Sequence, residues 1–268
     1  MKKLGENVYL DNTIKRQLSA SRPAFDQLMA LRGEPFRAQD GRVTQRVLLG
    51  GKSYFIKQHF GVGWKEIFKN LLQFRWPVLG AKNEWLAIRK LQTLGVKVPV
   101  VAAYGQRGLN PARRQSFILM EELAPVESLE SFCKDWLRSP PDVRLKRELI
   151  EKVARIAREL HRNGINHRDF YICHFLLDTA HERDHSRLFL IDLHRAQIRR
   201  QTPERWIIKD LSGLYFSSRD IGLTQRDLYR FIKAYTGQAL HEAWGSKKLF
   251  WQKVRTRGEQ LYSDHTQR

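Results

Sequence analysis

The sequence predicts an α+β fold, with a small strand-rich N-terminal part followed by a larger, mainly helical C-terminal part. Three observations carry this. Residues 34–58 alternate β-favouring runs with turn signals, residues 142–163 repeat apolar side chains at helical spacing, and no Gly/Ser linker, internal repeat or low-complexity tract interrupts the chain. A length of 268 residues suits either one large domain or two lobes sharing a cleft.

The strand reading rests on turns. Pro35 to Ala38, a turn at Asp40-Gly41, Val43 to Leu49, a turn at Gly50-Gly51, and Ser53 to Gln58 form a three-strand meander. Next, Trp64, Ile67, Phe68, Leu71 and Leu72 recur at helical spacing, with Lys65 and Lys69 off that face. A basic amphipathic helix of this kind suits an anionic membrane, but the favoured reading is that it packs on its own lobe. Trp76-Pro77 is expected to end it, because the residue before proline is pushed out of the helical region.

A second helix is read over Lys82 to Leu91, closed by Gly95, and two further strands at Val98 to Val101 and Ser116 to Glu121. The long helix follows. Leu145, Leu149, Val153, Ile156, Ala157 and Leu160 line one face, Pro140-Pro141 precede it and Gly164 closes it. Thr224-Gln225-Arg226-Asp227 reads as a capping box before a last amphipathic run.

Charge narrows the partners. The formal net charge of +20 implies an anionic one: nucleic acid, a phosphorylated lipid surface or an acidic protein. Two cysteines, Cys133 and Cys173, exclude a disulfide framework and suit a reducing compartment. Neither a signal-peptide core near the N-terminus nor a run of roughly 18 to 20 apolar residues is present, so the expected location is the cytoplasm, at most touching a membrane face.

The chemistry concentrates in Asn166-His167-Arg168-Asp169, followed by Tyr171 to Leu177, and in Leu190-Ile191-Asp192-Leu193-His194. Each carboxylate sits at the edge of a short apolar run, an arrangement that places acids at strand ends. In phosphoryl transfer one such acid orients the attacking hydroxyl and accepts its proton, while the other holds the magnesium that neutralises nucleotide phosphates.

His167-Arg168-Asp169 resembles the catalytic-loop triplet of the protein-kinase superfamily, and Asp192-Leu193-His194 sits where those kinases carry their metal-binding triplet. The run from Asn166 to Leu177, with Ile191 to Gln197, is similar more narrowly to the lipopolysaccharide core heptose(I) kinases. One departure is Phe170, where that family commonly has Cys. The likeness, over roughly residues 20 to 265, implies a two-lobed protein-kinase-like fold divided as 1–122 and 123–268.

The resemblance implies roles. Asp169 is the catalytic base, Asp192 and His174 are metal-site residues, and Lys57 meets the ATP phosphates while paired with Glu84. Adenine lies on the backbone from Glu121 to Leu123, and Arg195 and Arg199 bind anionic groups of the acceptor. A buried Asp210 is expected to anchor the catalytic loop from below. The implied reaction is transfer from ATP, with Mg2+, to the 4-hydroxyl of heptose I, on the inner face of the inner membrane.

Two departures temper this. There is no Gly-x-Gly-x-x-Gly loop, Asp40-Gly41-Arg42 being the nearest equivalent, and His174 stands where a magnesium-binding Asn is usual, although magnesium prefers oxygen donors.

Other readings are weaker. His161, His167, Cys173, His174, His181, His185 and His194 lack zinc-site spacing. A nucleic-acid binder would use Trp64, Trp76 and Trp85 as stacking groups but predicts no such carboxylates and shows no recognised module. A kinase acting on Kdo or on protein stays open, although the Ala-Pro-Glu motif of typical protein kinases is missing.

Overall fold

A computed structural model of the chain describes residues 6–39, 41–72, 77–180, 187–245 and 247–267. Asp40, Trp76, His181 and His185, each invoked above, lie outside the described residues. The chain divides into two compact units: the described residues up to Arg89 joined by Pro99–Leu123, and Lys90–Val98 joined by the residues from Ala124 onward. A single cut after residue 122 was expected; instead one short stretch, Lys90–Val98, belongs with the C-terminal unit.

In the N-terminal unit the elements are β1 (Asn7–Leu10), α1 (Asn12–Gln17), α2 (Ala24–Ala30), β2 (Glu34–Gln39), β3 (Arg42–Leu49), β4 (Lys52–His59), α3 (Gly63–Leu72), the first part of α4 (Lys82–Thr93), β5 (Val101–Arg107) and β6 (Gln115–Glu121). The strands form one antiparallel sheet ordered β1-β5-β6-β4-β3-β2. The predicted β2 to β4 meander is present. At its second turn Gly50 and Gly51 both adopt positive φ, 56° and 76°, as a two-residue hairpin loop requires.

Alternation along β4 sorts its side chains. Tyr54, Ile56 and Gln58 fall on one face, where Tyr54 and Ile56 join a core with Ile14, Phe25, Leu28 and Phe117, while Lys57 falls on the other. Buried Gln58 is satisfied by donating to the carbonyls of Leu28, Met29 and Leu31, where the chain leaves α2. These first helices had no counterpart in the sequence reading.

Two expectations are corrected. Val98 to Val100 are not strand; β5 begins at Val101, since Pro99 has no N–H to give a ladder. And α3 packs on its own unit only in part: it meets Pro111–Arg113 and buries Ile67, but Trp64, Phe68 and Leu71 are exposed and Leu72 is 82% exposed.

The C-terminal unit holds β7 (Val126–Ser128), α5 (Leu129–Phe132), α6 (Val143–Arg162), β8 (Ile165–Asn166), β9 (Phe175–Asp178), β10 (Leu188–Leu190), β11 (Gln197–Ile198), α7 (Glu204–Ser217), α8 (Gln225–Thr236), α9 (Leu240–Gly245) and α10 (Lys248–Thr266). Asp142 caps α6 by accepting from the amides of Arg144 and Leu145, and Gly164 ends it at φ 77°. The capping box of α8 is formed as read, with Thr224 and Asp227 bonded reciprocally. α6 packs on α8 and α7 on α10. Two small sheets, β10-β9-β7 and β11-β8, carry the chemistry-bearing loops at their ends.

Candidate active site

In the N-terminal unit, Lys57 on β4 and Glu84 on α4 form an ion pair, Nζ to Oε1 2.6 Å. Glu84 is 1% exposed, and its Oε2 is buried without a hydrogen-bond partner among the described residues. A carboxylate taken so far out of water needs its lysine, and the pair fixes the ammonium group on the sheet face opposite the α1/α2 core. At the end of β6 the amides of Glu121 and Glu122 are already given to the carbonyls of Val100 and Ser53, and both carboxylates are bound laterally, Glu121 to Lys52 and Glu122 to Arg46. The carboxylates and amides of Glu121 and Glu122 are therefore occupied within the unit.

In the C-terminal unit, the loop from β8 to β9 is held from beneath. Asp210 on α7 is fully buried and accepts from the amides of His167 (2.6 Å) and Arg168 (2.8 Å) and from His161 Nε2 (3.4 Å). Three N–H donors compensate the buried carboxylate. They also fix Arg168 at φ 77°, a left-handed conformation that a residue with Cβ adopts only when its surroundings impose it.

Below the loop, α7 presents Gly213. A Cβ there would lie 3.1 Å from the Tyr171 ring and 3.2 Å from the Phe170 carbonyl, so the loop rests on bare helix backbone. Phe170 is core, packed on His161, His167 and Phe175, which accounts for an aromatic residue at that position.

Two imidazoles flank Asp192, itself left-handed at φ 59°. His194 donates from Nδ1 to Oδ1 at 2.6 Å. His174 donates from Nδ1 to the Asp169 carbonyl at 2.7 Å, so its Nε2 is the nitrogen facing Asp192 Oδ2, 3.7 Å away. His174 thus bonds the backbone of one acid and lies beside the side chain of the other. His167 donates from Nε2 to the Ile191 carbonyl (2.9 Å), and its buried Nδ1 has no partner among the described residues. Burial pushes this imidazole below its ordinary pKa, keeping it neutral.

Asp169 itself accepts from Arg195 Nη1 at 2.7 Å. Arg199, expected to face the acceptor, instead donates to Asn166 (2.5 Å) and to Gln197. Its guanidinium lies 5.6 Å from the ring of Trp206, which Arg168, Arg205 and Lys209 also approach at 5.4–5.5 Å. The sequence reading passed over Trp206; its signal was a tryptophan spaced one and three residues from Arg205 and Lys209 on a helix behind the catalytic loop. Among the described residues no three His, Cys, Asp or Glu side chains form a metal-holding group.

The profile of the lipopolysaccharide kinase (Kdo/WaaP) family matches residues 26–235. The chain belongs to that family. Among its curated relatives, the lipopolysaccharide core heptose(I) kinase WaaP of Pseudomonas aeruginosa is 49% identical over 255 residues, covering 94% of this chain and 95% of the relative. The WaaP of Escherichia coli K12 is 50% identical over 248 residues, covering 91% and 93%. A solved structure, WaaP in complex with acyl carrier protein, superposes with a TM-score of 0.83 at 44% identity, covering 96% of this chain and 99% of that one. The fold of this Kdo/WaaP family member is accordingly the protein-kinase-like one expected, with a β-rich N-terminal unit and a helical C-terminal unit.

Proposed function

We propose that this chain is a lipopolysaccharide core heptose(I) kinase, transferring the γ-phosphoryl group of ATP to a hydroxyl of heptose I of the inner core. The observation that carries this is identity of about half, over nine-tenths of the chain, to proteins of that activity. The acceptor position the resemblance implies is the 4-hydroxyl.

The geometry within each unit supports the roles that the resemblance implies. Asp169, steadied by Arg195, orients the acceptor hydroxyl and takes up its proton. Lys57, held by Glu84, meets the nucleotide phosphates, and backbone groups from Glu121 to Leu123 receive adenine. Asp192 suits one Mg2+, because that ion is commonly bound through one carboxylate together with phosphate and water oxygens. Held there, the ion would supply charge neutralisation for the phosphates, and His174 stands beside Asp192. Arg195 is assigned to acceptor anions, and Arg199, given the same role by the resemblance, holds Asn166 and Gln197.

Two partners accompany the reading. The exposed apolar face of α3, edged by Lys65 and Lys69, suits peripheral contact with the anionic inner face of the inner membrane. A net charge of +20 suits an acidic protein, a class consistent with the acyl carrier protein bound in the solved WaaP structure.

The test supplies labelled ATP with inner-core acceptor, nucleic acid and a generic protein in parallel. Label is expected only in heptose I. Asp169→Asn should stay folded while turnover falls roughly 10² to 10⁴-fold. Label appearing in the Kdo sugar or in protein, or near-normal turnover by Asp169→Asn, contradicts the assignment.

A further inference from the structure

The cations around Trp206 come from three separate segments: Arg168 from the catalytic loop, Arg199 from the end of β11, and Arg205 and Lys209 from α7. Arg195 adds a fifth charge near Lys209 and Arg168. Some of these are accounted for. Arg199 is committed to Asn166 and Gln197, and Arg205 is exposed.

Arg168 is different. It is 7% exposed, its Nε is buried without a hydrogen-bond partner, and its guanidinium forms no ion pair among the described residues. Lys209, half-buried, likewise has neither hydrogen bond nor ion pair among the described residues. Burial and the neighbouring cations push both groups below their ordinary pKa. Asp169, the acid beside them, is already engaged by Arg195.

Stacking on one indole does not compensate this. A ring face attracts a cation but supplies no hydrogen-bond acceptor, and like charges gathered at one ring repel. A buried cation and a half-buried one, brought together from two segments and left without an acceptor among the described residues beside Asp169, point to an anion that arrives with the substrate.

We propose that Arg168 and Lys209, beside Trp206, form with the neighbouring Arg195 an oxyanion subsite that takes a carboxylate or phosphate group carried by the acceptor beside its reacting hydroxyl. The identity of the ligand rests on the kinase reading; the existence of the subsite does not. Arg195 belongs to both groups, so an anion there draws the acceptor toward Asp169.

The test has two arms. In the first, inorganic phosphate and acetate are titrated at constant ionic strength while tryptophan emission is followed, with Trp206→Phe identifying the signal. The expected result is a saturable change that Lys209→Gln loses and Lys209→Arg keeps. A flat response in the wild-type chain overturns the subsite, whatever the chain's activity.

In the second arm, Lys209→Gln should raise the KM for acceptor at least tenfold with the KM for ATP unchanged. That penalty should vanish on an acceptor whose carboxylates are converted to amides, or on one stripped of phosphate, which identifies the source. A penalty of equal size on both altered acceptors, or none on the intact one, overturns the acceptor assignment. Should the wild type phosphorylate no acceptor, the kinase reading fails and the first arm still decides the subsite.

Discussion

Arg195 Nη1 lies 2.7 Å from Asp169 Oδ1, joining the segment after Asp192 to the carboxylate assigned as base. A displacement of about 1 Å in such a group can cost on the order of 10²-fold in rate. Arg195→Met should therefore lower kcat about that much while the KM for ATP holds, because Asp169 loses its clamp. Equal kcat in the variant would show the contact to be incidental.

Lys57 and Glu84 give a second expectation. Removing one member of a buried ion pair leaves the other charge uncompensated, at a cost of about 3 kcal/mol. Lys57→Met, which leaves the buried Glu84 carboxylate without its ammonium partner, should lose roughly that much stability in urea unfolding. The double variant Lys57→Met/Glu84→Leu should recover most of it, since apolar replacement of a buried pair is often neutral. Calorimetry should find ATP binding lost in both variants; recovery of binding along with stability would separate the pair from the nucleotide.

His167 gives the pH dependence. Its ordinary pKa is 6.5 and burial lowers it in the folded chain. Above pH 6.5 the imidazole is neutral in both states, and this contribution is fully present. As pH falls below 6.5 the unfolded chain takes up a proton that the folded chain resists, so stability drops toward the lowered pKa. His167→Gln, which can still donate to the Ile191 carbonyl, should show a shallower decline in thermal midpoint below pH 6.5. Parallel slopes would remove His167 as the titrating group.

The exposed face of α3 predicts binding to vesicles containing anionic lipid. Each basic residue near such a surface contributes on the order of 1 kcal/mol, so rising salt should weaken association. Phe68→Glu with Leu72→Glu should abolish it without unfolding the chain, because both side chains are already exposed. Binding indifferent to salt and to these substitutions would leave the face without that role.

What the sequence made legible was whatever local chemistry dictates. Glycines in a two-residue turn set the β2 to β4 meander, Asp142 and Gly164 bound α6, and Thr224 with Asp227 starts α8, each through contacts within a few residues. The Lys57–Glu84 pair and the support of the loop by Asp210 were legible through the resemblance. Illegible features depended on distant partners. β1 is four residues long and exists because β5 pairs with it, and Val98 is buried by its surroundings rather than by strand periodicity. The exposure of α3 and the convergence of Arg168 with Lys209 at Trp206 likewise depend on what the rest of the chain brings near them.

Gly213 contributes nothing but vacancy, and that gives it a place in the chemistry. One methyl group there would ask Phe170 and Tyr171 to yield by a few tenths of an ångström, and their peptide unit leads directly from Asp169. A search for inactivating changes confined to charged positions would pass over it. In this protein the seat of the Asp169 loop traces back to an atom that a neighbouring helix does not have.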